Sequence, residues 1–273
     1  MSARDRIRLD QLLVDRGLAS SREWAKRLIL AGKVRIGGVV ESKPGTAFPS
    51  DCELQLEATD SYASRGGEKL ARAVEVFKPE LEGIVAVDVG ASTGGFTDVL
   101  LRCGASMVYC VDVGYGQLAW NLRQDPRVRV FDRTNARYLT PEMFDPLPSF
   151  ATIDVSFISL SMILPAVSGI LRPNSQVICL VKPQFEAGRE RVGKRGVVRS
   201  PEVHCDVLRS AVGYARQNGF AVLGLTSSPI RGPEGNIEFL MYLALKSPEG
   251  GIPRSDIDPL VESVVSQAHS EAL

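Results

Sequence analysis

Ile84-Val-Ala-Val-Asp88-Val-Gly90-Ala-Ser92-Thr-Gly94-Gly95-Phe96-Thr97 decides how the rest of the chain is read. A short run of apolar and β-branched residues carrying one acid enters a glycine-rich turn, and a helical pattern follows to Leu101. A buried parallel strand has this composition, and a turn of small residues brings backbone N–H groups and a helix N-terminus close to a ligand. Outward from this unit the pattern alternates. Strands are predicted at 107–112, 127–131, 150–155, 176–181, 220–226 and 237–244, with helices near 96–102, 116–123, 159–170 and 201–217. The alternation predicts an α/β, doubly wound parallel sheet. The last two strands, separated only by a loop, are expected to be antiparallel neighbours.

The turn discriminates among three ligands. Gly90 to Thr97 fits a nucleotide P-loop at every position except the lysine, where Phe96 stands, so the main phosphate charge is missing. Ser92 occupies the middle glycine of a dinucleotide fingerprint, where backbone must approach a pyrophosphate, which weakens that reading. S-adenosylmethionine has no phosphates and needs neither feature. Asp88, Gly90, Ser92, Gly94, Gly95 and Phe96 would form its turn, and Asp112, ending the next strand, would hold its ribose. Asp132 and Asn135 are placed at the adenine, or else act as turn formers.

Composition narrows the classes. The 273 residues carry 32 Lys+Arg and 32 Asp+Glu, so a nucleic-acid partner has to be read from local patches. Five scattered cysteines without a C-x-x-C pair suit reduced thiols, and two isolated histidines do not make a zinc site; no metal is expected. The polar start has no apolar signal core. Residues 150–171 are apolar enough to span a bilayer, but Asp154, Pro165 and several serines split them into a strand and a helix. The expectation is a cytoplasmic protein with no membrane partner and an open oligomeric state.

Ahead of this domain, residues 8–16 and 22–31 read as two short helices, closed by Gly17 and Gly32, with Ser20 or Ser21 capping the second. Leu9, Leu12 and Leu13 face one way on the first helix; Trp24, Ala25, Leu28 and Ile29 do so on the second. Short strands follow at 33–36, 39–40 and 52–56. Residues 4–43 hold ten Arg/Lys against five Asp/Glu, a local basic excess. The residues Arg8-Leu-Asp-x-x-Leu-Val-x-x-Gly17-Leu-Ala-x-Ser21-Arg22 and Ala25-Lys-x-Leu-Ile-x-x-Gly32-Lys33-Val-x-Ile-x-Gly38 resemble the S-four-type RNA-binding module. That resemblance implies a small α+β domain over residues 6–59 whose Arg8, Arg22, Lys26, Arg27 and Lys33 meet RNA. Residues 60–66 read as a linker, 67–246 as the catalytic domain and 247–273 as a peripheral tail.

Polar residues at strand ends indicate the chemistry, because ligands of such sheets bind at the carboxyl edge. Asp154 ends the fourth strand, Lys182 the fifth, and Glu238 lies in the last strand, after the Pro229–Gly235 loop; Lys69 reaches the same mouth from the first turn of the helix starting at Gly67. One buried ion pair is ordinary, whereas a Lys-Asp-Lys-Glu set converging on a cofactor cleft is not. Together with Asp88-Val-Gly-Ala-x-x-Gly-Gly-Phe96 the set resembles FtsJ-type ribose 2′-O-methyltransferases. With the N-terminal module and Ser64-Arg65-Gly-Gly-x-Lys69-Leu, the chain resembles the TlyA family of rRNA methyltransferases, which also carry haemolysin names. The resemblance implies a Rossmann-like S-adenosylmethionine-dependent fold, ribosomal RNA or subunits as partner, cytidine 2′-O-methylation, and the tetrad Lys69, Asp154, Lys182 and Glu238. Lys182 is expected to be the base, oriented by Asp154, with Lys69 and Glu238 holding the ribose. Free lysine titrates near 10.4, too high for a base at neutral pH unless burial or a second ammonium lowers it. Arg65, Arg189 and Arg195 are expected to touch RNA, the latter two from a mobile lid over 183–199. The competing classes are an RNA-binding adaptor, which needs no tetrad, and a membrane-active haemolysin, which no amphipathic cationic helix supports.

Overall fold

The structure, a computed structural model, describes residues 6–19, 22–30, 32–56, 62–245 and 251–270, without the side chains of Trp24 and Arg27. The expected caps Ser20 and Ser21 and the Arg27 side chain lie outside the described residues. The chain divides into two compact units, residues 1–61 and 62–273.

In the first unit, β1 (Arg6–Arg8) leads into α1 (Leu9–Asp15) and α2 (Arg22–Leu30), followed by β2 (Val34–Ile36), β3 (Val39–Val40), β4 (Ala47–Pro49) and β5 (Leu54–Leu56). β1 pairs with β4, and β2 lies between β3 and β5, all antiparallel. Leu9 and Leu13 of α1 meet Ala25, Leu28 and Ile29 of α2 and Val34 of β2 in one core, the arrangement predicted by their helical spacing.

The second unit begins with α3 (Gly66–Phe77), then β6 (Val85–Val89), α4 (Gly95–Arg102), β7 (Met107–Val111), α5 (Trp120–Arg123), β8 (Val128–Phe131), β9 (Phe150–Ile153) and α6 (Leu164–Ile170). β10 (Gln176–Val181), α7 (Pro183–Glu186), α8 (Pro201–Gln217), β11 (Phe220–Ser227), β12 (Phe239–Leu245) and α9 (Arg254–Ser270) complete it. The strands form one sheet in the order β11-β12-β10-β9-β6-β7-β8. Alternate residues of each strand enter different cores. Val87, Val177, Cys179 and Val181 pack with α6, α8 and α9, while Ala86, Ile178 and Leu180 pack with α3 and α4. Burial on both faces accounts for the nearly continuous apolar strands.

The last two strands are antiparallel neighbours, as expected, and β12 also runs antiparallel to β10, which makes the sheet mixed. Two expectations change. The segment read as a peripheral tail holds the 17-residue α9, whose Ile257, Val261, Val264, Val265 and Ala268 are buried against α8 and β11. Its apolar positions recur at the helical spacing the sequence also suggests, and it is their burial that makes the segment part of the second unit. The expected linker is partly built into the second unit, since Ala63 N–H donates to Asp98 Oδ2 at 2.8 Å. Smaller differences have local causes. The helix expected over 116–123 is helical only from Trp120, because Gly116 takes φ 67° and residues 113–117 form a loop.

Candidate active site

The carboxyl ends of β6, β7, β9 and β10 share one edge of the sheet, and the start of β12 joins them there. At this edge the glycine turn is shaped by contacts that no side chain would permit. Gly90 has φ 85°, and a Cβ there would stand 2.5 Å from the Asp154 carbonyl oxygen. Gly94 has φ 93°, and its Cβ would strike Leu118 and Leu122. A Cβ on Gly95 would lie 2.8 Å from the Gly67 nitrogen, where α3 and α4 begin side by side. Ser92, at φ 48°, donates its N–H to Asp112 Oδ2 at 2.8 Å, and Asp112 Oδ1 accepts from Gly114 N–H at 2.7 Å.

Two residues expected at the cofactor face elsewhere. Asp88 is wholly buried, with Oδ2 accepting from Thr97 Oγ at 2.7 Å and Oδ1 from Thr152 Oγ at 2.9 Å. Burial pushes its carboxyl up to about 6, against the opposing pull of those two hydroxyls. It ties β6 to α4 and β9, holding the turn from beneath. Phe96 is buried in the core among α4 neighbours, so its ring also supports the turn from within. Asp132 accepts from Arg123 at 2.7 Å and from Gly116 N–H at 3.3 Å, and the guanidinium lowers its carboxyl below the usual range. Asn135 Oδ1 caps the 3₁₀ turn Ala136–Tyr138 through Arg137 N–H, the turn-forming role allowed for it.

The four charges assemble as two pairs, one fully buried and one with a half-buried acid. Lys69 Nζ lies 2.5 Å from Glu238 Oε2, and both are buried. Lys182 Nζ lies 2.6 Å from Asp154 Oδ1, close but out of line for a hydrogen bond, and donates to Ser156 Oγ at 3.0 Å. Because Val181 is paired with Phe239, Lys182 and Glu238 flank adjacent strand ends. Gln184 Nε2 approaches Glu238 Oε1 at 3.5 Å. An isolated charge buried at such an edge would be strongly unfavourable, so each lysine requires its acid.

Ser156, Gln184 and Phe157 were not singled out from the sequence. Phe157 stands 90% exposed at φ 64°, its ring 5.1 Å from that of Phe185. The signal was an aromatic and a serine directly after a strand-ending acid. These rings open on a cleft of about 550 Å³ that Ser159, Gln184 and Arg189 also line.

The basic residues are less free than their sequence implied. Arg8 and Arg22 both grip Asp10, which is fully buried. Arg8 does so through two 3.0 Å bonds, Arg22 through one, and the Arg8 hydrogen bonds hold Asp10 down at about 2. Lys26 pairs with Glu23 at 2.7 Å, and Lys33 is also engaged. Arg65, Arg189 and Arg195 are exposed. The 183–199 segment, expected as a mobile lid, is folded into α7 and two 3₁₀ turns. Asn236 fastens it, accepting from Val198 N–H at 2.9 Å and donating to the Gly196 carbonyl at 2.9 Å, and Arg191 is engaged with Asp206 at 2.6 Å. Among the described residues no three His, Cys, Asp or Glu side chains converge as metal ligands, and no helix is long and apolar enough to cross a membrane.

A glycine turn with an acid on the neighbouring strand, in a seven-stranded sheet with one reversed strand, defines a methyltransferase-type α/β domain. The chain matches FtsJ-like methyltransferases over residues 62–245 and the S4 domain over residues 7–48. It is 50% identical to YqxC of Bacillus subtilis (strain 168), a provisionally named rRNA methyltransferase, over 96% of this chain and 94% of that one. It is 44% identical to the 16S/23S rRNA (cytidine-2′-O)-methyltransferase TlyA of Mycobacterium tuberculosis, over 96% of this chain and 98% of the other. A solved structure of a provisionally named hemolysin from Streptococcus thermophilus superposes with a TM-score of 0.73 at 48% identity, covering 98% of each chain. The chain therefore belongs to the TlyA family of FtsJ-like methyltransferases that carry an S4 domain.

Proposed function

We propose that this chain is a cytoplasmic enzyme that methylates a ribose 2′-hydroxyl, that of cytidine, in the ribosomal RNA of one or both subunits, with S-adenosylmethionine as donor. The observation that carries the reading is the pair of lysine–carboxylate contacts, Lys69–Glu238 and Lys182–Asp154, at the sheet edge where the glycine turn packs against the Asp154 backbone. The residues present fit the donor. The turn at Gly90, Ser92, Gly94 and Gly95 carries no ammonium for a phosphate, and Asp112 keeps lone pairs beyond the two amides it accepts, enough for ribose hydroxyls. Asp132 and Asn135 lie on the adjacent loop for the adenine. When bound, S-adenosylmethionine supplies a methyl group already activated by its sulfonium.

The protein's task is to place the acceptor oxygen and to take its proton. The hydrogen bond to Ser156 and the nearby Asp154 carboxylate fix the position of Lys182 Nζ and leave a direction on the nitrogen for the ribose oxygen. Lys182 is the group placed to accept the 2′-hydroxyl proton, which it would pass on to water, while the methyl group leaves the sulfonium sulfur, which becomes a neutral thioether, for the ribose oxygen. Lys69, held by Glu238, hydrogen-bonds the ribose from the other side. Phe157 and Phe185 offer ring faces to the nucleotide beside Lys182.

Lys182→Ala should lower methyl transfer to ribosomal RNA at least ~100-fold, the usual size of a lost proton-transfer group, with cofactor affinity by calorimetry unchanged. Full transfer by that variant would refute the assignment. Mapping 2′-O-methyl positions after incubation with each subunit's RNA identifies the target, and methylation elsewhere than on a ribose would overturn the reading.

A further inference from the structure

Two arginine–tyrosine stacks stand on the loops after β7 and β8. Tyr115 and Tyr138 are each 70% exposed; the guanidinium of Arg133 lies 4.4 Å from the Tyr115 ring centroid, and that of Arg137 lies 5.3 Å from that of Tyr138. Exposed aromatic rings with guanidiniums beside them are the kind of surface on which unpaired bases stack.

The first stack is rigidly presented. Gly114 N–H is held by Asp112 and Gly116 N–H by Asp132, so Tyr115 projects from between two anchored glycines. Arg133 N–H bonds the Gly114 carbonyl at 2.8 Å, and Arg133 takes φ 54°, a region that L side chains disfavour. The strained backbone thus keeps the guanidinium over the ring. The second stack is set by Asn135, which accepts from Arg137 N–H at 3.1 Å.

The charge around these rings is one-sided. Residues 113–140 contain five arginines and two acids, Asp125 and Asp132. Both acids are matched, by Arg127 and Arg123, each at 2.7 Å. Arg129, Arg133 and Arg137 are the excess, and Arg129 is turned back onto the carbonyls of Pro126 and Val128. Two guanidiniums beside two open ring faces match a polyanion that carries flat, unpaired rings.

We propose that Tyr115 with Arg133 and Tyr138 with Arg137 form a platform for unpaired nucleotides of the substrate RNA, the rings stacking on bases and the guanidiniums meeting phosphates. It rests on the RNA-methylation reading above and adds a second RNA contact, on the catalytic domain itself. A duplex keeps its base faces covered and cannot use the rings, so the platform selects a loop or an unpaired strand.

The test uses the full chain, fluorescence anisotropy over a range of salt, and two probes: an RNA hairpin with a long unpaired loop and a blunt RNA duplex. Tyr115→Ala and Tyr138→Ala should each weaken hairpin binding about tenfold without altering its salt slope, and leave duplex binding within about twofold. Tyr115→Phe, which keeps the ring face, should bind as wild type. Arg133→Gln and Arg137→Gln should each reduce the salt slope by about one. S-adenosylmethionine affinity should be unchanged in all five. Hairpin binding by the alanine variants equal to wild type, equal losses on the duplex, or a loss of cofactor affinity in Tyr115→Ala would overturn the platform. A wild type that binds the hairpin in this way yet methylates no RNA would sink the methylation reading and leave the platform standing. Intact methylation of ribosomal RNA with unaffected variants would sink the platform alone.

Discussion

Gly90→Ala tests whether the cofactor turn and the candidate catalytic acid are one mechanical unit. A Cβ at this position would stand 2.5 Å from the Asp154 carbonyl oxygen, 2.9 Å from its carbon and 3.2 Å from the Val155 nitrogen. All three are backbone atoms at the end of a central strand and cannot swing aside. Left-handed backbone costs an alanine about 1–2 kcal/mol, and forcing atoms into a filled space adds about 1–3 kcal/mol, so the substitution should destabilise the second unit by about 2–5 kcal/mol. For a domain of this size that is a fall of roughly 5–15 °C in melting temperature. Gly83→Ala provides the control: φ is 70° there, but nothing lies within 4 Å of the new Cβ, so only the conformational part is lost. The part specific to Gly90 should push Asp154 away from Lys182, so single-turnover methyl transfer should fall further than cofactor affinity does. Thermal unfolding by circular dichroism, a calorimetric cofactor titration and a single-turnover assay read the three effects. If Gly90→Ala melted within about 2 °C of Gly83→Ala and kept its turnover, the coupling of turn and acid would be refuted.

Asp88 should give the second unit a pH-dependent stability. Its folded carboxyl is raised from 3.8 to about 6, so the folded state holds the proton more tightly and stability falls as pH rises from about 4 to 7, by about 2 kcal/mol. Denaturant unfolding should show Asp88→Asn without this slope, and parallel curves for the two proteins would contradict it. Asp10 has the opposite sign. Held at about 2 by Arg8 and Arg22, it stabilises the small unit above pH 4, and this is lost as pH falls towards 2. Because both guanidiniums are half-exposed, Asp10→Asn should cost about 1–2 kcal/mol at pH 7, read by hydrogen exchange in α1; protection equal to wild type would refute it. Val261→Asp buries an unpaired charge under α9 and should destabilise by more than about 3 kcal/mol in thermal unfolding. Ser263→Asp on the exposed side should be neutral, and equal effects would restore the reading of a peripheral tail.

The fold was legible where period and composition agree. The central strands between Val85 and Val181 are nearly continuous apolar runs because both faces are covered, and each strand in this range is found within a residue or two of its predicted place. What the sequence hid was pairing. Arg8 and Arg22 read as RNA contacts on a basic module, and no role was read for Asp10. In the fold a buried carboxylate draws both arginines inward, because leaving it unmatched would be strongly unfavourable. Phe96 and Asp88 sit within the motif of a cofactor turn, yet a turn this tight needs support from beneath, and these two provide it. Motif membership located the site; which side of the backbone a residue serves was decided by packing.

The same distinction explains how Glu238 comes to the site at all. Asp112, Asp154 and Lys182 follow their strands, as parallel topology requires of residues at the carboxyl edge. Glu238 precedes its strand. In a wholly parallel sheet it would lie at the opposite edge, more than a strand's length from Lys182. β12 runs against β10 in the register Val181–Phe239, and this one reversal brings the start of β12 beside the end of β10. Lys69 depends on it in turn, because α3 lies across β11 and β12 and its ammonium finds its carboxylate only at that reversed end. The reversed strand is therefore what completes the four-residue set. Glu238 was legible from the sequence as a member of the converging set without the direction of β12 against β10 being fixed, and the reversed pairing is the physical reason it belongs there.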